Sequence, residues 1–276
     1  MSSLLKRFFH ESRSLITSFY GFRSLLWALV RRDIQARYRG SVLGVFWSLL
    51  TPMVQLATYY FVFGVLFQSR WGTDDDRPIF FILNLFCGLI PFTFFSEVIS
   101  RSPEMILRSP NYVKRIAFPV HLLSAVSVGS CLFHATISLA LLILGIVIGI
   151  PHFGWNLLWL PVIWLPFLLF TLALSIFVSG VGVFLRDLGH IVGLALNILF
   201  FLTPIFYPVH IVPHSLSWVL LMNPVACVVM QMRNTGVLNL PLDVRMWGFQ
   251  MLGSVIFFVM VAAWFRLISR RFADVL

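Results

Sequence analysis

Residues 116–154 read IAFPVHLLSAVSVGSCLFHATISLALLILGIVIGIPHFG, thirty-nine positions without one Asp, Glu, Lys or Arg. A helix needs roughly 20 apolar residues to cross a hydrocarbon core about 30 Å thick. This stretch is long enough, with residues to spare for its ends. Four further charge-free stretches, 42–67, 155–185, 188–210 and 246–265, pass the same test. A sixth, 79–100, carries only Glu97, near its end. One such run fits in a soluble core, but six in a chain of 276 residues do not. The composition agrees: 59% of residues are hydrophobic, 11% are charged, and mean hydropathy is +0.94. That is too little charge to cover a soluble surface. The sequence predicts an all-α membrane protein with six transmembrane helices, over about 42–67, 79–100, 119–150, 157–185, 188–209 and 246–265.

Residues 1–40 hold no apolar run followed by a small-residue cleavage site, so the span from Ser41 is expected to act as its own insertion signal. Six spans put both termini on one side. Sixteen Lys and Arg then fall on that side, against Arg70, Arg77, Arg233 and Arg245 on the other. This asymmetry predicts cytoplasmic termini. The organisation that follows is a cytoplasmic segment 1–40, a transmembrane domain 41–266 and a cytoplasmic tail 267–276. The net charge of +10 then faces anionic headgroups, and membrane lipids rather than nucleic acid are its expected partner.

Within the first segment, Leu26, Val30, Ile34 and Tyr38 recur every four residues, so 23–39 reads as an amphipathic helix lying along the interface. Gly40 permits a sharp turn into the first span. Between the second and third spans, Ser102 suits an N-cap, Pro103 a first helical position and Glu104 the positive helix end. Met105, Ile106, Leu107 and Arg108 follow, and Pro110 stops the run. A short helix 102–108 with exposed apolar residues is expected. It either rests on lipid or docks a cytoplasmic partner. Residues 211–238 are apolar but interrupted by Pro213, His214, Asn223, Pro224, Gln231 and Arg233. Two short helices that enter the outer leaflet and return fit better than a seventh crossing, and they make a candidate pathway wall.

Much chemistry is absent. Neither lysine, Lys6 or Lys114, follows a glycine, so the chain has no Gly-x-x-x-x-Gly-Lys-Ser/Thr phosphate loop. Cys87, Cys131 and Cys227 form no Cys-x-x-Cys pair and read as small membrane hydrophobes rather than a disulfide or metal site. The histidines show no metal-ligand spacing; His121, His134 and His190 read as packing or interfacial residues. Asp74-Asp75-Asp76 resembles the acidic cluster of a metal-dependent glycosyltransferase, though a lone acidic run in an outer loop is usually solvated surface. One intramembrane carboxylate is too few for a proton-driven carrier.

The run Arg32-Asp33-Ile34-Gln35-Ala36-Arg37-Tyr38-Arg39-Gly40-Ser41-Val42-Leu43-Gly44, then Trp47-Ser48-Leu49-Leu50 and Pro52, resembles the opening of ABC-2 type permeases, most of all the branch that exports O-antigen and teichoic acid. Asn111-Tyr112-Val113-Lys114-Arg115-Ile116 with Phe118-Pro119 is similar to that family's first cytoplasmic loop. Phe184-Leu185-Arg186-Asp187-Leu188, then Pro204-Ile205-Phe206-Tyr207-Pro208 and Asn223-Pro224, continue the likeness in order. The resemblance implies an exporter of a lipid-linked polysaccharide, O-antigen-like rather than capsular. It implies a homodimer served by two copies of a separate ABC ATPase. No cofactor is then expected in this chain, since ATP and Mg2+ would be bound by the ATPase. Glu104, Met105, Ile106, Leu107 and Arg108 become ATPase-coupling residues, 23–39 an interface helix and 211–238 outer re-entrant helices. An ABC-2 exporter of a drug or smaller lipid is the alternative, and a membrane glycosyltransferase a more distant one.

Two groups of candidate substrate residues follow. Arg37 and Arg39, flanking Tyr38 just before the first span, suit bidentate contact with the phosphate between lipid and glycan, although positive-inside anchoring also explains arginines there. Tyr59, Phe63 and Phe67 repeat every four residues, and Phe206 and Tyr207 lie between Pro204 and Pro208. These five are expected to form an aromatic ring near a channel exit, where sugar C–H faces stack on rings and a phenol meets a sugar hydroxyl.

Overall fold

A computed structural model describes residues 20–67, 77–109, 119–150, 154–269 and 271–272. The segment 1–19, the acidic run 74–76 and the stretch 110–118 with most of the loop motif lie outside the described residues.

The described residues are helical, with no strand among them. α1 is Arg23–Tyr38. α2 is Trp47–Tyr59, entered through a 3-10 turn Gly44–Phe46 and continued by a π-helix Tyr60–Leu66. α3 is Pro78–Arg101 and α4 is Leu122–Gly149. α5 is Leu160–Gly182, after a 3-10 helix Trp155–Trp159, and α6 is Leu188–Leu202. α7 is Ser217–Met222, α8 is Pro224–Met232 with a π-helix Arg233–Val237 after it, and α9 is Val244–Ser269.

Five stretches are long and apolar enough to cross a membrane: Gly44–Leu66, Pro78–Arg101, Leu122–Gly149, Trp155–Gly182 and Val244–Ser269. The sixth predicted span, 188–209, is helical over only part of its length. α6 has only 15 residues, about 22 Å at a rise of about 1.5 Å per residue. Its end has a local cause. Thr203 precedes Pro204, whose ring disfavours helical geometry in the residue before it, and Thr203 turns extended at ψ 133°.

α3 runs through the centre with most of its residues buried, packed against α4, α5 and α8. Its Phe94 meets Trp164 and Phe167 of α5 at ring-centre distances of 5.4 and 5.7 Å. Lipid tails are as apolar as leucine, so hydrophobicity does not drive such helices together; close packing and interhelical hydrogen bonds do. Small residues supply both. Gly180 admits α9 so closely that a Cβ there would lie 3.1 Å from the Trp264 ring and 3.2 Å from that of Phe265. Ser124 and Ser179 hydroxyls are 3.5 Å apart between α4 and α5. α1 docks on α4 where Val30 sits over Gly129. Leu26, Val30, Ile34 and Tyr38, the predicted apolar face, are all partly or fully covered. The chain then turns at Gly40, which takes the left-handed φ of 83° that only glycine adopts freely. The first span packs little: none of its most apolar eighteen residues is buried.

Candidate functional site

Arg37 lies in the last turn of α1 and Glu97 one turn before the end of α3. The docking of α1 across the arginine-rich end of the bundle brings them into an ion pair. Glu97 also accepts from Arg101 at 2.8 Å, four residues on, and Arg101 reaches Asp33 of α1 at 3.4 Å. Two acids and two bases thus alternate between α1 and α3. One residue beyond Arg37, the Tyr38 hydroxyl is 3.1 Å from His134 Nδ1 on α4, and their rings meet edge to face. His134 Nε2 is buried and has no hydrogen-bond partner. Beside the ion pair is a cavity of about 80 Å³ lined by Arg37, Gln55, Thr93, Glu97 and His134 among others. A broader cleft of about 650 Å³ opens between α1 and the segment 102–109, with Arg32, Asp33, Arg101, Glu104 and Arg108 on its walls.

Arg37, a candidate phosphate ligand, is thus engaged by a carboxylate in this structure. Arg39 is exposed beyond the helix end, where its N–H caps α1 through the Ala36 carbonyl.

The segment 102–108 differs from expectation. Residues 102–108 form successive turns rather than a capped helix. Ser102 is no N-cap; its hydroxyl pairs with Ser175 at 2.8 Å and with the Val98 carbonyl at 2.8 Å. Ile106 is 1% exposed, in a cluster with Ala173, Ile176, Val183, Phe265 and Phe272. It anchors the segment to α5 and α9 and is not offered to a partner. Met105 and Leu107 are half-buried, while Glu104 and Arg108, ion-paired to each other, are exposed.

At the other end of the bundle, Tyr59 meets Phe206 at 5.2 Å and Phe63 stacks on Phe206 at 4.3 Å, with Phe67 5.8 Å from Phe63. Phe200 of α6 joins the group at 5.2 Å from Phe206. Tyr207 does not. Its hydroxyl donates toward the Leu202 and Phe201 carbonyls at 3.2 and 3.4 Å and closes the end of α6, so it needs no sugar hydroxyl.

Sequence reasoning missed Arg233. Counted with the outer-loop cations, it is enclosed, with 5% exposure. It donates to the carbonyls of Asn84 at 3.0 Å, Pro204 at 2.5 Å and Ile205 at 2.9 Å. The broken end of α6 leaves the last two carbonyls without helical donors. Asn223 secures the same junction: its side-chain oxygen caps α8 through the N–H groups of Val225 and Ala226, and its amide donates to Thr203 Oγ1 at 3.0 Å. Cys87, Cys131 and Cys227 are free and buried. No group of three metal-ligating side chains occurs among the described residues.

Spanning helices packed around a buried aromatic one, joined at one end by a charged seam, define a multi-pass helical membrane protein. Residues 24–237 match the family described as ABC-2 type transporter. The chain belongs to that family. It is 33% identical over 213 residues to the O-antigen export system permease protein RfbA of Myxococcus xanthus, covering 76% of this chain and 79% of the relative. A protein of the same name from Klebsiella pneumoniae is 30% identical over 221 residues, 78% of this chain and 82% of its own length. The polysialic acid transport protein KpsM of Escherichia coli is 27% identical over 205 residues, 73% of this chain and 77% of the relative.

Proposed function

We propose that this chain is the permease subunit of an ABC exporter that carries a lipid-linked, O-antigen-like polysaccharide across the bacterial cytoplasmic membrane. The observation that carries this reading is the identity of 30–33% with O-antigen export permeases along three quarters of the chain. The identity of 27% to a polysialic acid transport protein, below the 28–33% to O-antigen export permeases, favours an O-antigen-like substrate. Two copies of the chain form the pathway and two ATPase subunits drive it; that the ATPase is a separate subunit is supported by the lack of a phosphate loop in this sequence. Both termini face the cytoplasm, α6 with residues 203–209 completes a sixth crossing, and 211–238 re-enter from outside. Glu104, Leu107 and Arg108 lie on the ATPase-facing side of the coupling segment. Tyr59, Phe63, Phe67 and Phe206 line the exit, where aromatic faces stack on sugar.

Deleting the gene is expected to leave lipid-linked polymer inside the cell, detected by fractionation with a glycan stain. Unchanged surface glycan would refute the reading, and loss of glycan synthesis itself would favour a glycosyltransferase. The purified chain alone is expected to hydrolyse no ATP.

Arg37 and Arg39 bind the phosphate of the lipid carrier in this reading. Changing both to Lys keeps the charge but removes the planar fork that grips a phosphate bidentately. Export is expected to fall about tenfold, the loss of about 1.4 kcal/mol of binding. Export at the wild-type rate with normal protein level would leave these arginines an anchoring role only.

A further inference from the structure

The ion pair at the foot of α3 has features that a purely structural bridge does not need. Glu97 and Arg37 side chains are 20% and 39% exposed, so water reaches the pair and it is weak enough to exchange. If Arg37 leaves, Glu97 is not orphaned, because Arg101, which Asp33 shares at 3.4 Å, still holds it at 2.8 Å. The cavity of about 80 Å³ lies directly beside the pair. A water needs at least about 10–15 Å³ by such a measure, so there is room for several waters or one phosphoryl group. Its wall carries further donors toward an anion, the Gln55 amide and the Thr93 hydroxyl. It also carries His134, whose Nε2 has no partner in the protein. When the Tyr38 hydroxyl donates to Nδ1, Nε2 bears the hydrogen and becomes an unpaired buried donor.

We propose that Glu97 is an internal competitor of the anionic group that Arg37 binds: its carboxylate occupies the guanidinium and yields it, passing to Arg101, when one phosphoryl group of a phosphate or diphosphate enters the adjoining cavity. This rests on the reading of the substrate as a lipid-linked glycan and adds a residue and a mechanism to it. Glu97 sets the threshold: a weakly charged lipid headgroup fails to displace it, and a diphosphate, with more charge and bidentate geometry, succeeds. Because Arg101 adjoins Ser102, the exchange alters the charge seam at the root of the 102–109 segment.

The test is equilibrium binding of a radiolabelled short-chain prenyl diphosphate to the full permease–ATPase complex in nanodiscs, with the corresponding prenol as a phosphate-free control. Glu97→Gln is expected to bind the diphosphate about tenfold more tightly than wild type, with prenol binding unchanged. In an Arg37→Gln background the same Glu97→Gln change is expected to have no effect, because the competition requires Arg37. Asp33→Asn, at the more exposed end of the chain of charges, frees Arg101 to hold Glu97 and is expected to tighten binding about threefold. This second variant keeps the test valid where Glu97→Gln assembles poorly. Equal or weaker binding in Glu97→Gln or Asp33→Asn overturns the competitor role alone. A gain that persists in the Arg37→Gln background also overturns it, showing a general field effect instead. Failure of the wild-type complex to bind the diphosphate in preference to the prenol overturns the substrate reading together with it.

Discussion

Arg233→Met is expected to destabilise the protein more than any other single change at the α6–α8 junction. Methionine keeps much of the aliphatic volume and removes the donors to three buried carbonyls, those of Asn84, Pro204 and Ile205. An unsatisfied buried polar group costs about 1–3 kcal/mol, so the total loss is expected to exceed roughly 3 kcal/mol. Gly88 shows how tightly the guanidinium is enclosed: a Cβ there would lie 3.2 Å from Arg233 Nη2 and 3.1 Å from Ile205 Cα. Arg233→Lys is expected to be intermediate, since one ammonium cannot reproduce a fork that reaches two elements at once. The measurement is the melting temperature of the detergent-solubilised protein, read by fluorescence-detected size exclusion. A shift of several degrees or outright loss of the monodisperse peak is expected for Arg233→Met. A shift under about 2 °C, which corresponds to only about 1 kcal/mol in a protein of this size, would show the carbonyls to be satisfied without it.

Gly182→Leu is expected to dislodge the 102–109 segment. Gly182 ends α5, and a Cβ there would overlap the carbonyl oxygen, carbonyl carbon and Cα of Pro103. All three are backbone atoms, so no rotamer change relieves the overlap. The segment is held on both sides of that contact, by Ser102 on Ser175 and by Ile106 in its cluster, so it cannot slide. Overpacking of this kind costs about 1–3 kcal/mol or more, comparable with the worth of the contacts that hold the segment. Limited trypsin digestion is expected to cut at Arg108 at least tenfold faster in the variant, and export by the assembled transporter to be lost. Gly189→Ala is the matched control, since nothing lies within 4 Å of a Cβ there. Export and protease resistance equal to wild type in Gly182→Leu would show that the segment adjusts freely.

What the sequence could and could not show divides along range. Apolar runs mark where helices lie, and the helices Pro78–Arg101 and Val244–Ser269 begin and end close to the runs 79–100 and 246–265. Hydropathy overran α6 because Thr203 to Phe206 are as acceptable to lipid as the helix before them. The break is a matter of backbone geometry at Pro204, which an average over side chains does not register. The four-residue repeat of Tyr59 and Phe63 was legible, and both rings meet Phe206, whereas Tyr207 found local carbonyls instead. Arg233 looked like a loop cation because its partners lie 28, 29 and 149 residues away. Ile106 looked exposed for a similar reason: its neighbours come from α5 and α9, and a local pattern of apolar residues beside charged ones holds no trace of them. Glu97 was legible as a lone carboxylate at a span end. That two arginines share it depends on how α1 lies across α3.

The sparse packing of the first span has a mechanical consequence. Helices in lipid hold together only by the contacts they make. A helix none of whose most apolar eighteen residues is fully buried within its own chain has fewer contacts to lose. Tilting it away from α3 and α4 therefore takes less work than parting α5 from α9, where Gly180 lets the rings of Trp264 and Phe265 press close. The foot of the span is built for such rotation: Gly40 and Gly44 hold φ of 83° and 52°, with nothing within 4 Å of either Cβ position. The protein is thus compliant along one edge and stiff elsewhere. The span at that edge is a single helix on a glycine pivot, while the aromatic core beside it is held by contacts on every side.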